Sequence, residues 1–187
     1  MIDDILKNLS VKIIGIKEKN AYKDLEHFEK RIKAELPEDY KKILVMYAGP
    51  IIFNEQNIFK PIISSYLDRE DGTQSVEILY GLGENEYSIT AMLNRYEGRI
   101  PYQAIPIGEI GGGNLICMCI RGDRANQIYL WDHDNEREIT GEPENDFGNM
   151  FLVSENFENF IHSIEKCDKK NEIDDLGIVE SESWLDI

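Results

Sequence analysis

The chain is poor in cysteine, in positive charge and in long apolar runs. Its three cysteines, at 117, 119 and 167, are too few for a disulfide framework and fit a reducing cytoplasm. No apolar run approaches the ~18–20 residues of a membrane span. The opening stretch MIDDILKNLSVK carries two acids at positions 3 and 4 and no small-residue cleavage site, so no signal peptide is expected. Only 20 Lys+Arg stand against 36 Asp+Glu, a formal net charge of −16. Such a chain is repelled by nucleic acid phosphates and by anionic lipids, which argues against both as partners. A macromolecular partner is expected to be basic.

What is present is enough for one folded domain. The 187 residues match the usual size of a single domain, and at 42% hydrophobic the chain can bury a core. The charge is uneven. Residues 1–47 hold 9 acids and 10 bases, whereas 134–164 hold 8 acids and one base, Arg137. All the excess negative charge therefore lies after Gly49. Residues 134–149 read as a long acidic loop, and 168–187 as an acidic tail with a late apolar cluster of Trp184, Leu185 and Ile187.

Apolar residues at helical spacing mark five helices. The sets are Ile2, Ile5, Leu6 and Leu9; Leu25, Phe28, Ile32 and Leu36; Tyr40, Ile43, Leu44 and Tyr47; Ile89, Met92, Leu93 and Tyr96; and Phe157, Phe160, Ile161 and Ile164. Pro37 is expected in the first turn of the third helix, with Glu38 and Asp39 near its positive end. Ser154 is expected to cap the last one. Short β-prone runs lie at Ile51–Phe53 and Ile58–Ile63, around a polar Asn54–Asn57 turn, and at Val76–Leu79. The strongest β signal spans 104–132. Leu115–Ile120 is apolar on both faces, as in a central, covered strand. In Ile128–Trp131, Ile128 and Leu130 share one face, and Tyr129 and Trp131 the other. The pattern predicts an α+β fold with a single antiparallel-rich sheet flanked by helices. The division expected is a helical extension over 1–20, a domain over 21–167 and a tail over 168–187.

Catalytic and metal templates fit poorly. Gly111-Gly112-Gly113 is followed by a strand rather than a helix, so it reads as a turn needing positive φ and not as a phosphate loop. Asp132-His133-Asp134 fails as an EF-hand, because Arg137 stands where Gly is needed and Pro143 where the closing Glu belongs. It also lacks zinc-ligand spacing. Cys117 and Cys119 share a face of a covered strand and read as core thiols, not as a redox pair. No catalytic residue, metal or cofactor is expected.

Several blocks carry a resemblance. Leu36-Pro37-Glu38-Asp39-Tyr40-Lys41-Lys42-Ile43-Leu44, then Tyr47-Ala48-Gly49, resembles the opening signature of the SMI1/KNR4 family in the SUKH superfamily. Leu79-Tyr80-Gly81-Leu82, then Ile105-Pro106-Ile107-Gly108-Glu109 and Gly111-Gly112-Gly113-Asn114-Leu115, resemble later blocks. Ile128–Asp134 and Phe157-x-x-Phe160-Ile161 complete the order, which covers about 24–165. Ala48-Gly49-Pro50 departs from the more usual Asn-Gly-Gly.

The resemblance implies an α+β fold and a binding module rather than an enzyme. It implies an immunity protein of the bacterial kind, cytoplasmic, neutralising a secreted polymorphic toxin domain such as a nuclease by occlusion. The alternatives are a regulatory scaffold like the fungal cell-wall synthesis regulators, for which long disordered flanks are expected, and a small-ligand sensor. The oligomeric state is left open. For partner contact the expected set is Tyr80, Glu109, Tyr129, Trp131, Asp132, Asp134, Glu142 and Glu144, because aromatic anchors ringed by carboxylates suit a basic partner. The competing reading makes Trp131 a core residue of the second sheet face and the acids a solvated loop.

Overall fold

The computed structural model describes residues 2–14, 20–54, 56–135 and 147–167. The run that is apolar on both faces, Leu115–Cys119, is an interior strand buried at every position. It forms an antiparallel hairpin with Ala104–Glu109 on one side and pairs with Ile128–Trp131 on the other. In chain order the strands are β1 (Lys12–Ile13), β2 (Ile51–Ile52), β3 (Asn57–Phe59), β4 (Gln74–Ser75), β5 (Ile78–Leu79), β6 (Ala104–Glu109), β7 (Leu115–Cys119), β8 (Ile128–Trp131), β9 (Met150–Ser154) and β10 (Glu165–Lys166). Seven of them form one antiparallel sheet in the order β1-β2-β5-β6-β7-β8-β9, and β10-β3-β4 form a small second sheet. The helices are α1 (Ile2–Asn8), α2 (Ala21–Ile32), α3 (Glu38–Tyr47), α4 (Ile89–Arg95) and α5 (Phe157–Ser163).

The fold is α+β, as expected. All five helices place apolar side chains in one core with Ile105, Ile107, Ile116, Met118, Ile128 and Leu130 of the sheet. Alternation along β7 and β8 sends Leu115, Cys117, Cys119, Tyr129 and Trp131 to the opposite face. There they meet Ile100, Ala104 and Met150, with Tyr96, Phe147 and Leu152 packed around them. Leu6 and Leu9 are buried in the helix-side core, and β1, exposed at both positions, pairs with β2 at the edge of the large sheet. The tail 168–187 lies outside the described residues.

Several local expectations are corrected. Asn54–Asn57 is the expected turn, closed by the Asn57 N–H donating to the Asn54 carbonyl at 3.0 Å, but the runs on either side part, β2 into the large sheet and β3 into the small one. The Ile58–Ile63 run is not one strand: β3 ends at Phe59, ahead of Pro61, which has no N–H to give a ladder. Pro37 is the N-cap of α3 with extended φ and ψ, one position earlier than expected, and Glu38 and Asp39 do sit in the first turn. Ser154 belongs to β9, and the cap of α5 is Asn156, whose side chain accepts from the Asn159 N–H at 2.8 Å.

The family-like blocks meet in space. The Leu82 N–H donates to the Ala48 carbonyl at 2.6 Å. A Cβ on Gly81 would lie 2.3 Å from the Gly49 carbonyl carbon, so the backbones of these two blocks abut and only glycine fits.

Candidate functional site

The register Glu109↔Leu115↔Trp131↔Met150 lines up the ends of β6 to β9 along one edge of the large sheet. Glu109, Asp132 and Asp134 therefore all sit at this end. The turn between β6 and β7 is a 3₁₀ turn over Gly111–Gly113, with positive φ at Gly112 and Gly113. That conformation excludes most side chains and brings Asn114 round to the end of β8. The Asn114 side-chain oxygen accepts from the His133 backbone N–H at 3.0 Å and lies 3.0 Å from His133 Nδ1. Because the backbone N–H can only donate, the ring Nδ1 must carry the proton in this contact. His133 Nε2 lies 3.1 Å from the exposed Asp134 carboxylate.

Asp132 is fully buried. Its Oδ2 accepts from the Tyr66 hydroxyl and from Asn135 Nδ2 at 2.7 Å, and its Oδ1 accepts from the Asp134 N–H at 3.0 Å. Its backbone is bracketed by Asn149: the Asp132 N–H donates to the Asn149 carbonyl at 3.0 Å, and Asn149 Nδ2 donates to the Asp132 carbonyl at 2.8 Å. The ligand atoms of Asp132, His133 and Asp134 do come within 4.8 Å of one another. Both oxygens of Asp132 and the Nδ1 of His133 are nevertheless engaged by protein groups, which is the chemistry of a tied strand end.

The expected partner residues fall into different environments. Trp131 is fully buried and Tyr129 nearly so, which corrects the outward-looking aromatic pair. The cause is remote: Tyr96 stacks edge-on to Trp131 at 5.6 Å, the Arg99 guanidinium lies 5.7 Å from the same ring, and Phe147 meets Tyr129 at 5.4 Å. Asp132 is corrected likewise, from a surface carboxylate to a buried one. Tyr80 is buried and donates to Glu109 Oε2 at 2.7 Å. Burial, and then the Glu109 carboxylate, push the Tyr80 phenol far above its ordinary range. Asp134 is exposed. Glu142 and Glu144 lie outside the described residues.

The two strand thiols are held neutral. Burial pushes Cys119 up to about 12 and Cys117 well above its usual range, so neither offers a thiolate at neutral pH.

Sequence reasoning missed Tyr66, Asn114, Asn135 and Asn149. The short Asp-His-Asp-Asn run carries a turn signal, since Asp and Asn side chains bond backbone two residues on. Tyr66 gives no signal, because it stands 66 positions before Asp132 on the β3–β4 connection.

Comparison with known proteins places the sequence in a lineage. The SPbeta prophage-derived uncharacterized protein YokK of Bacillus subtilis (strain 168) is 30% identical over 169 residues, covering 86% of this chain and 82% of its own length. The family model of the SMI1 / KNR4 family (SUKH-1) matches residues 21–163. Members of that family are commonly immunity proteins. No helix among the described residues is long and apolar enough to cross a membrane. The chain belongs to the SMI1/KNR4 family, SUKH-1.

Proposed function

We propose that the protein is an immunity protein that acts in the cytoplasm by binding a toxin domain and occluding it, without chemistry of its own. Membership of a family rich in immunity proteins carries the reading. The prophage origin of the YokK relative and the net charge of −16 are consistent with it. A nuclease is the toxin class such acidity suits, since an acidic surface fits a groove built for phosphates and speeds capture by charge complementarity. A non-catalytic role is supported by the neutral, buried state of Cys117 and Cys119 and by the hydrogen bonds that occupy Asp132.

The test is co-expression with toxin domains encoded in the neighbouring reading frames. Growth should be rescued and a stoichiometric complex should co-purify. A chain that neither binds nor protects refutes the proposal.

A further inference from the structure

The β3–β4 connection, residues 60–73, is a pinned loop that leaves its apolar side chains in water. The Ile62 and Ile63 N–H groups donate to the Val153 and Leu152 carbonyls at 3.2 and 2.9 Å, which closes the open side of β9, the last strand of the large sheet. Ser65 and Asp68 lock the bend: Asp68 Oδ2 accepts from the Ser65 N–H at 2.8 Å, and Asp68 Oδ1 accepts from Ser65 Oγ at 3.1 Å and Gln74 Nε2 at 3.1 Å. Tyr66 stacks edge-on to Phe151 at 5.8 Å and donates its hydroxyl to buried Asp132. Yet Ile62, Ile63 and Tyr66 remain 57%, 52% and 66% exposed.

Three large apolar side chains within five positions of a fixed loop are costly to leave in water and already ordered for contact. Rigid aromatic anchors bind well because little rotamer freedom is lost on docking. Their setting is slightly acidic. The loop carries Asp68, Glu70 and Asp71 against Lys60 and Arg69, and Tyr66 leads directly to Asp132 and exposed Asp134.

Resting on the immunity reading, we infer that the Ile62–Tyr66 loop, with Asp134 beside it, is the face that docks the toxin domain, and that it receives a basic protein surface with an apolar centre. Tyr66 takes the anchoring part first expected of Trp131. The apolar side chains supply contact area, and the carboxylates select for positive charge and hasten encounter.

The probe is a catalytically inactivated form of the toxin domain against which the chain protects in co-expression, titrated against the full chain. Ile62→Ser/Ile63→Ser should weaken Kd at least about tenfold with an unchanged melting temperature, because both side chains are already more than half exposed. Tyr66→Ala should weaken it about 30-fold or more. Tyr66→Phe, which loses the same hydroxyl but keeps the ring, should stay within about fivefold of the unaltered chain. Asp134→Lys should slow association and flatten its salt dependence. Tyr22→Ala, 78% exposed on α2, should change nothing. Unaffected binding by the Ile62/Ile63 and Tyr66→Ala variants overturns this docking face and leaves the immunity reading intact. Failure of the unaltered chain to bind overturns both. Association that ignores salt overturns the basic partner. A dimer in sedimentation that Ile62→Ser/Ile63→Ser dissolves makes the face a self-contact, and a large fall in melting temperature shows that the chain itself covers it; either result overturns the inference.

Discussion

On one side of β8, Ile128 and Leu130 share a core with side chains from all five helices; on the other, Tyr129 and Trp131 share a cluster whose cover is Tyr96, Ile100 and Phe147. On the first face the residues of β8 are aliphatic, and the helices over them make a thick core. The second is one layer deep, and aromatic rings and two thiols replace the missing helices. Arg99 over Trp131 and Arg124, 4.2 Å from the centre of the Phe147 ring, extend that thin cover with guanidinium planes. The difference shows that a strand end rich in aromatics and carboxylates need not be a contact surface: here the large rings seal a face, and the exposed aromatic is supplied by a distant loop.

Removing the largest ring tests this comparison most severely. Trp131→Ala should cost about 3–5 kcal/mol in urea denaturation, as much as a large truncation in the helix-side core. A loss under about 1 kcal/mol would mean that the second face contributes no core. Trp131→Phe sharpens the point. The indole N–H is buried with no hydrogen-bond partner among the described residues, so the substitution removes an unpaired donor along with some volume. It should cost about 1 kcal/mol or less.

The thiols offer a probe confined to the second face. Burial is the chief cause that raises both, and Arg124 opposes it at Cys119. A thiol whose folded pKa exceeds its unfolded value stabilises the fold fully below the unfolded value, near 9, and loses that contribution as pH rises toward about 12. Stability should therefore fall by on the order of 1–3 kcal/mol between pH 8 and 10. Cys117→Ala/Cys119→Ala should flatten that limb. The same slope in the double variant would assign it to the buried tyrosines instead.

The sequence showed where periodicity is long enough to count. Leu115–Cys119 was legible as a covered strand because five consecutive apolar residues leave no wet face, and the alternation in β8 sorted its residues correctly between the two faces. Which face lies open was not legible, since the cover of Trp131 comes from Tyr96 and Arg99, more than thirty positions earlier. β1 and β10 have two residues each, too few for a period of two to register. Asp132 reads in one dimension as one more acid of an acidic stretch; only folding brings Tyr66 and Asn149 to it. The family-like blocks, by contrast, were legible because glycines such as Gly81 answer to backbone contacts that admit no side chain.

The smallest expected effect concerns how α5 closes the helix-covered face. Ser154 is the residue type and position that a cap rule selects, yet it pairs with Ile128 as the last residue of β9 and its hydroxyl donates to the Asn156 carbonyl at 3.0 Å. Asn156, two residues on, has extended backbone angles and satisfies the Asn159 N–H. The strand thus runs two residues closer to the helix than the cap rule assumes, and the cap moves with it. Asn156→Ala should cost about 1 kcal/mol, and Ser154→Ala a few tenths, in the same denaturation assay. The order matters more than the sizes. α5 carries Phe157 and Phe160 into the core against Tyr40 and Phe59, so loosening its first turn also loosens the thick face. If Ser154→Ala costs more than Asn156→Ala, then the helix begins earlier and β9 is shorter than the pairing with β8 implies.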